Sequence, residues 1–202
     1  MNFVQTIKNA WQNIPAGIQT FLKRALILFI VWKLIYHLFL FPGRIIDAPL
    51  THWSSNGAAW IFKQIYPDIH FKIKEECNSD PSINNQITCM DYIFLNNKKI
   101  VGIADACNAL ELYVLYIGFL LCFPINSVKR LLIFIVSGSV IIYVANILRL
   151  AALGYFGQKY NVKFVDIAHH YIFKIVVYAI IFGLWVIYIK QIPKSNAKQE
   201  EQ

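Results

Sequence analysis

Charge is scarce in this chain of 202 residues. Asp, Glu, Lys and Arg make up only 15% of it, where a soluble domain carries about 25%. Cysteine is sparse too, four residues in all, which excludes a small secreted disulfide scaffold. A phosphate-binding glycine loop is missing, and so is any Cys/His set at metal-ligand spacing, so no cofactor is expected. The adjacent His169 and His170 do not present both rings to one metal from a helix, which disfavours zinc. What fills the chain is apolar: 57% hydrophobic and 15% aromatic residues, with mean hydropathy +0.49. That composition excludes a disordered chain and points to a protein of the lipid bilayer. The net charge of +8 then reads as topology signal and lipid anchor, with no nucleic-acid partner implied. A single domain spanning residues 1–202 is expected at this length.

Four stretches approach the ~20 apolar residues that cross a bilayer: Ala25 to Phe41, Ala109 to Ile125, Leu131 to Leu153, and Tyr171 to Ile189. Lys33 and His37 of the first are four apart, share a helical face, and are expected to point into the bundle. Ahead of it, Val4, Ile7, Trp11, Ile14, Ile18 and Phe21 recur at helical spacing, which predicts an amphipathic surface helix over 1–21, broken at Pro15. No cleavable signal peptide is read there. With four spans, Lys8, Lys23 and Arg24, then Lys129 and Arg130, then Lys190, Lys194 and Lys198 all fall on one side, predicting cytoplasmic termini and a cytoplasmic tail over 190–202.

The opposite side receives an insertion over 42–106. Ser54 to Tyr66 reads as a short helix on the outer surface, with Trp53 and Trp60 as interfacial aromatics. Alternating Ile69, Phe71 and Ile73, the run Ile87 to Leu95, and Lys98 to Ala104 after an Asn96-Asn97 turn read as a small antiparallel sheet. Cys77 and Cys89 within it are either a disulfide or two free thiols. The expected fold is therefore an all-α integral membrane bundle with surface helices and an extracytoplasmic β cap.

This topology sends Cys107, Arg149 and the pair His169/His170 to one membrane face, within a helical core over 107–189. A thiol at a helix N-terminus beside a guanidinium ionises more readily, an imidazole carries protons, and a guanidinium fork suits a developing oxyanion. Together they are the parts for acyl transfer through a thioester. Read singly, each has an ordinary role: a packing cysteine, a snorkelling arginine, interfacial histidines. Cys122 lies fifteen residues past Cys107, about 22 Å along a helix, and is too far away to take part.

The order Ala106-Cys107-Asn108-Ala109-Leu110, then Asn146-Ile147-Leu148-Arg149, then His169 opening the last span resembles the exosortase/archaeosortase family of membrane sortase-like cysteine enzymes. The likeness covers Lys98 to Ile189 and is nearest to the compact, Bacteroidetes-type members. The family pattern has Ser and Gly where this chain has Asn108 and Ala109, and a Gly where it has Phe173. The resemblance implies an inner-membrane cysteine peptidase or transpeptidase with its active site at the extracytoplasmic face. Its substrates would be exported proteins ending in a motif, a transmembrane helix and a basic tail. Cys107 would be the nucleophile, His169 (alternatively His170) the proton donor, and Arg149 the oxyanion or thioester partner, with Asn146 and Asn108 in support. The rival readings are a non-catalytic membrane subunit of a secretion or polysaccharide-export system, and a lipid-facing acyl or glycosyl carrier transferase. The sequence leaves the oligomeric state open.

Overall fold

The computed structural model describes residues 14–68, 70–80, 86–96, 98–123, 127–159 and 171–191. His169, His170 and the ends of the chain lie outside them. Among the described residues, helices and one sheet follow in the order α1 (Ala16–Gly43), α2 (Asp47–Ile65), β1 (Phe71–Asp80), β2 (Gln86–Leu95), β3 (Lys98–Ala104), α3 (Leu110–Cys122), α4 (Val128–Lys159) and α5 (Phe173–Lys190).

Three helices, α1, α4 and α5, are long and apolar enough to cross a bilayer. The second expected span is shorter than the sequence suggested. Its helix, α3, has 13 residues, about 20 Å of rise where hydrocarbon measures about 30 Å. A left-handed residue, Ala109, starts α3 late, and extended backbone at Phe123 ends it. The expected four spans are thus three full-length helices and one short apolar one.

No residue of the apolar stretch of α1 is buried in the protein. Pro15 stands ahead of its first turn, where the missing N–H is harmless. Ala16 to Phe21, read from the sequence as part of a surface helix, are instead the first turns of α1. A single wide π-helical turn, Tyr36–Leu40, interrupts it near the far end. Lys33 reaches a cavity described below, but His37 is exposed, so the expectation that both point into the bundle fails at His37. The wide turn breaks the i, i+4 register on which that expectation relied.

Two apolar clusters stack along α4. The lower one gathers Tyr116 and Leu120 of α3, Leu131 and Ile142 of α4, and Val177 and Ile181 of α5. Tyr116 donates its hydroxyl to the Phe134 carbonyl, and only a glycine at 138 admits the ring against α4. The upper cluster joins Ala58 and Phe62 of α2, Ile93 and Ile103 of the sheet, and Leu150 of α4. Because α4 has 32 residues, about 48 Å, it outruns the hydrocarbon, and its last turns serve the cap. There Gly154 lets Phe62 and Val101 approach the helix backbone.

The cap is a three-stranded antiparallel sheet in the order β1-β2-β3, with Phe71 opposite Leu95 and Met90 opposite Ala104. Cys77 pairs in register with Cys89, and the two are joined by a disulfide. The surface helix expected over Ser54 to Tyr66 starts at Asp47 and is wedged between α4 and the sheet. Trp53 and Trp60 remain exposed, while Asp47, Thr51, Ser54, Ser55, Ala58 and Phe62 form its buried stripe. That stripe is polar in its first half and apolar in its second. The apolar half covers the sheet, and the polar half faces the seam between the two clusters.

Candidate active site

Cys107 lies at that seam, in a single 3₁₀ turn, Asp105–Cys107, between β3 and α3. Polar ties hold the turn from three directions. Before Cys107, the Asp105 carboxylate accepts a two-pronged pair of hydrogen bonds from Arg44, Nε at 2.6 Å and Nη2 at 2.8 Å, and a third from the Thr51 hydroxyl at 2.8 Å. Arg44 also donates to Glu75 of β1 at 2.7 Å. The bonds to Asp105 push the Arg44 guanidinium above its ordinary range, outweighing the opposite pull of burial, and Glu75 adds to the effect.

After Cys107, the buried Asn108 amide donates to Asp47 Oδ1 at 2.9 Å, while its own carbonyl accepts from the Leu110 N–H at 2.8 Å. One side chain thus ties the turn to α2 and satisfies a free donor at the start of α3. Asp47 is fixed in turn by the Tyr36 hydroxyl of α1, at 3.0 Å from Oδ2. Ala109, where the resembled family has glycine, takes φ 66°. Left-handed backbone costs an ordinary residue about 1–2 kcal/mol.

The third set of ties comes from α4. Asn146 Nδ2 donates to the main-chain carbonyl of Cys107 at 3.1 Å, and Arg149 Nη2 donates to the same oxygen at 3.2 Å. Ile142, Asn146 and Leu150 repeat every four residues along one face, with Asn146 one turn from each cluster. Arg149 follows one turn after Asn146 on that side. Its Nε is buried without a hydrogen-bond partner among the described residues.

The structure thus gathers Cys107, Asn108, Asn146 and Arg149 at one point. Cys107 is a free, half-buried cysteine whose side chain packs against the upper apolar cluster and lies within electrostatic range of the Arg149 guanidinium. Cys122 is buried at the far end of α3. A cavity of about 300 Å³ opens beside the turn, lined by Ala106, Asn108 and Arg149, by Lys33 of α1, and by Lys174 in the first turn of α5. Lys174 brings the start of α5, which follows His169 and His170 in the chain, onto the same cavity as Arg149.

Sequence reasoning missed Arg44, Asp47, Thr51 and Asp105. Asp47 and Thr51 lie four apart at the start of a helix, a pattern common on exposed helices, and Arg44 is 61 residues from its partner. A legible hint was Asp105, an acid two residues before a candidate nucleophile.

A model of transmembrane exosortases matches residues 14–187, most of the chain. The chain belongs to that family. No curated protein and no solved structure matches it. As an exosortase, it carries the Cys, Asn and Arg of the resembled pattern on the turn and on α4, where they meet. The departures of this exosortase at 108 and 109 fall on the residues that end the cysteine turn and begin α3.

Proposed function

We propose that this exosortase is a cysteine peptidase or transpeptidase of the inner membrane. It cleaves C-terminal sorting signals from exported proteins at the extracytoplasmic face. The observation that carries the reading is the grip of Asn146 and Arg149 on the Cys107 carbonyl, which fixes the backbone of the nucleophile from a neighbouring helix. A rigid nucleophile beside a preorganised guanidinium is what acyl transfer requires.

In the reaction, the Cys107 thiolate attacks the scissile carbonyl and forms an S–C bond. The carbonyl oxygen takes the negative charge and is met by Arg149, whose buried Nε has no hydrogen-bond partner among the described residues. Collapse of the intermediate breaks the C–N bond, and the imidazole of His169, or of its neighbour His170, gives its proton to the leaving amine. The departing fragment is the membrane helix with its basic tail. Water or an acceptor amine then attacks the thioester, its proton returns to the imidazole, and the thiolate is freed. Cys107→Ala and Cys107→Ser are expected to fold, insert, and accumulate an unprocessed substrate bearing such a tail. Normal processing by Cys107→Ala would overturn the reading, and a thioester trapped on Cys107 and identified by mass spectrometry would establish it.

A further inference from the structure

Adjoining the cavity is a groove of about 690 Å³ between α1 and α3. Helix α1 touches the rest of the bundle mainly near its two ends. At one end Phe21 packs on Phe119 and Phe123, with ring centroids 5.4 and 5.1 Å apart. At the other, Tyr36 bonds Asp47 at 3.0 Å. Between these points side chains of both helices line the groove. The walls are almost wholly apolar, with Ala25 and Leu28 facing Val114 and Gly118. A methyl group added at Gly118 meets nothing within 4 Å.

We propose that this groove seats the transmembrane helix of the sorting tail, an inference that rests on the peptidase reading above. Three features favour a helix as occupant. The groove runs the full length of α3, from Leu110 to Cys122, so it is elongated along that helix. Its Gly118 floor permits the close backbone approach on which helix association in lipid depends. Trp32 and Leu110 line both the groove and the Arg149 cavity, so a helix lying in it leads its preceding residues directly to the cysteine turn.

The test needs no chemistry at Cys107. In the full-length Cys107→Ala, Cys122→Ala chain, a single cysteine replaces Val114 or Gly118. The probe is an exported reporter ending in about 20 Leu/Ala residues and a Lys cluster, with one cysteine in mid-helix. Oxidative crosslinking at both sites should exceed that at Val136 and Val140, on the lipid-exposed face of α4, by about tenfold. Gly118→Phe should suppress the Val114 crosslink by a similar factor, whereas Gly183→Phe on α5, which is equally open, should not. Equal crosslinking at the α4 controls, no crosslinking, or crosslinks joining two copies of this chain would overturn the proposal. Processing is read separately, in the chain that keeps Cys107. If that chain processes the reporter while the Cys107→Ala chain gives no groove crosslink, only the groove is overturned; if the groove crosslinks while the chain with Cys107 processes nothing, only the peptidase reading is.

Discussion

Exchange of Asn108 tests most directly whether side chains, more than backbone, hold the cysteine turn. Asn108→Ser keeps a short acceptor for the Leu110 N–H but cannot reach Asp47, and one lost bond to a charged group costs about 1–2 kcal/mol. Asn108→Asp keeps the acceptor and replaces the donor with a carboxylate facing Asp47, both groups being buried. Breaking a buried polar pair to leave uncompensated charge costs about 3–5 kcal/mol. At roughly 2–4 °C per kcal/mol for a chain of this size, Asn108→Ser should lower Tm by about 2–8 °C and Asn108→Asp by about 6–20 °C. Tryptophan fluorescence during a thermal scan in nanodiscs would report both. The decisive variant is the exchange Asp47→Asn with Asn108→Asp. The amide introduced at position 47 could then donate to the new carboxylate and accept from Tyr36, while that carboxylate still accepts from Leu110. The exchange should recover at least half of the Asn108→Asp loss. Additive losses in the double variant, or an Asn108→Asp chain as stable as the parent, would refute the reasoning.

Ala109→Gly relieves about 1–2 kcal/mol of left-handed strain but gives back about 0.4–1 in unfolded-chain entropy and up to ~0.8 for a buried methyl. It should therefore be nearly neutral in the same scan, where Ala109→Val should lose about 2 kcal/mol or more; the opposite order would contradict the φ of 66°. Arg149→Lys supplies a charge without the fork, so it should keep the fold while processing falls about 10²–10³-fold, measured on a tagged substrate; unchanged turnover would remove Arg149 from the mechanism. At the exposed edge of the sheet, Lys74 and then Lys99 hold the Glu76 carboxyl below its ordinary range. The ionised form therefore favours the fold, and its small contribution is present above the unfolded value and lost as pH falls through the folded one. Amide exchange in β1 to β3 should loosen less on acidification in Glu76→Gln than in the parent, and added salt should narrow the difference.

The meeting of Cys107, Asn146 and Arg149 was more legible than the residues that support it. Cys107, Asn146 and Arg149 could be read because spans of known length place residues at known depths, and depth is a one-dimensional property of a helix. The sheet was legible for a similar reason, since alternation marks strands and Asn96 takes the left-handed backbone of a tight turn. What could not be read is lateral. That Arg44 reaches Asp105 across 61 residues depends on how α1 hands over to α2 through a left-handed residue, Arg44 itself, where φ is 48°. No periodicity encodes that corner. The length of the second apolar helix was not legible because hydropathy does not show that Ala109 takes left-handed backbone and delays α3 to Leu110.

The placement of the polar ties follows from where apolar packing stops. Along α4 the lower cluster ends at Ile142 and the upper one begins at Leu150, so the main chain of the turn at Cys107 meets α4 between them, while the Cys107 side chain packs against the upper one. A backbone carbonyl buried there needs donors, and α4 supplies them from Asn146 and Arg149, one helical turn apart. The same gap explains the polar half of the α2 stripe, where Asp47 and Thr51 secure the residues on either side of the cysteine. The ties come from the corner at Arg44, from α2 and from α4, so a shift of any one of these is resisted by the other two. A reacting group displaced by about 1 Å can lose about 10²-fold in rate. A turn tied on three sides can therefore accept Asn and Ala where the family pattern has Ser and Gly, because Asn108 adds a bond to Asp47 while Ala109 adds strain of comparable size.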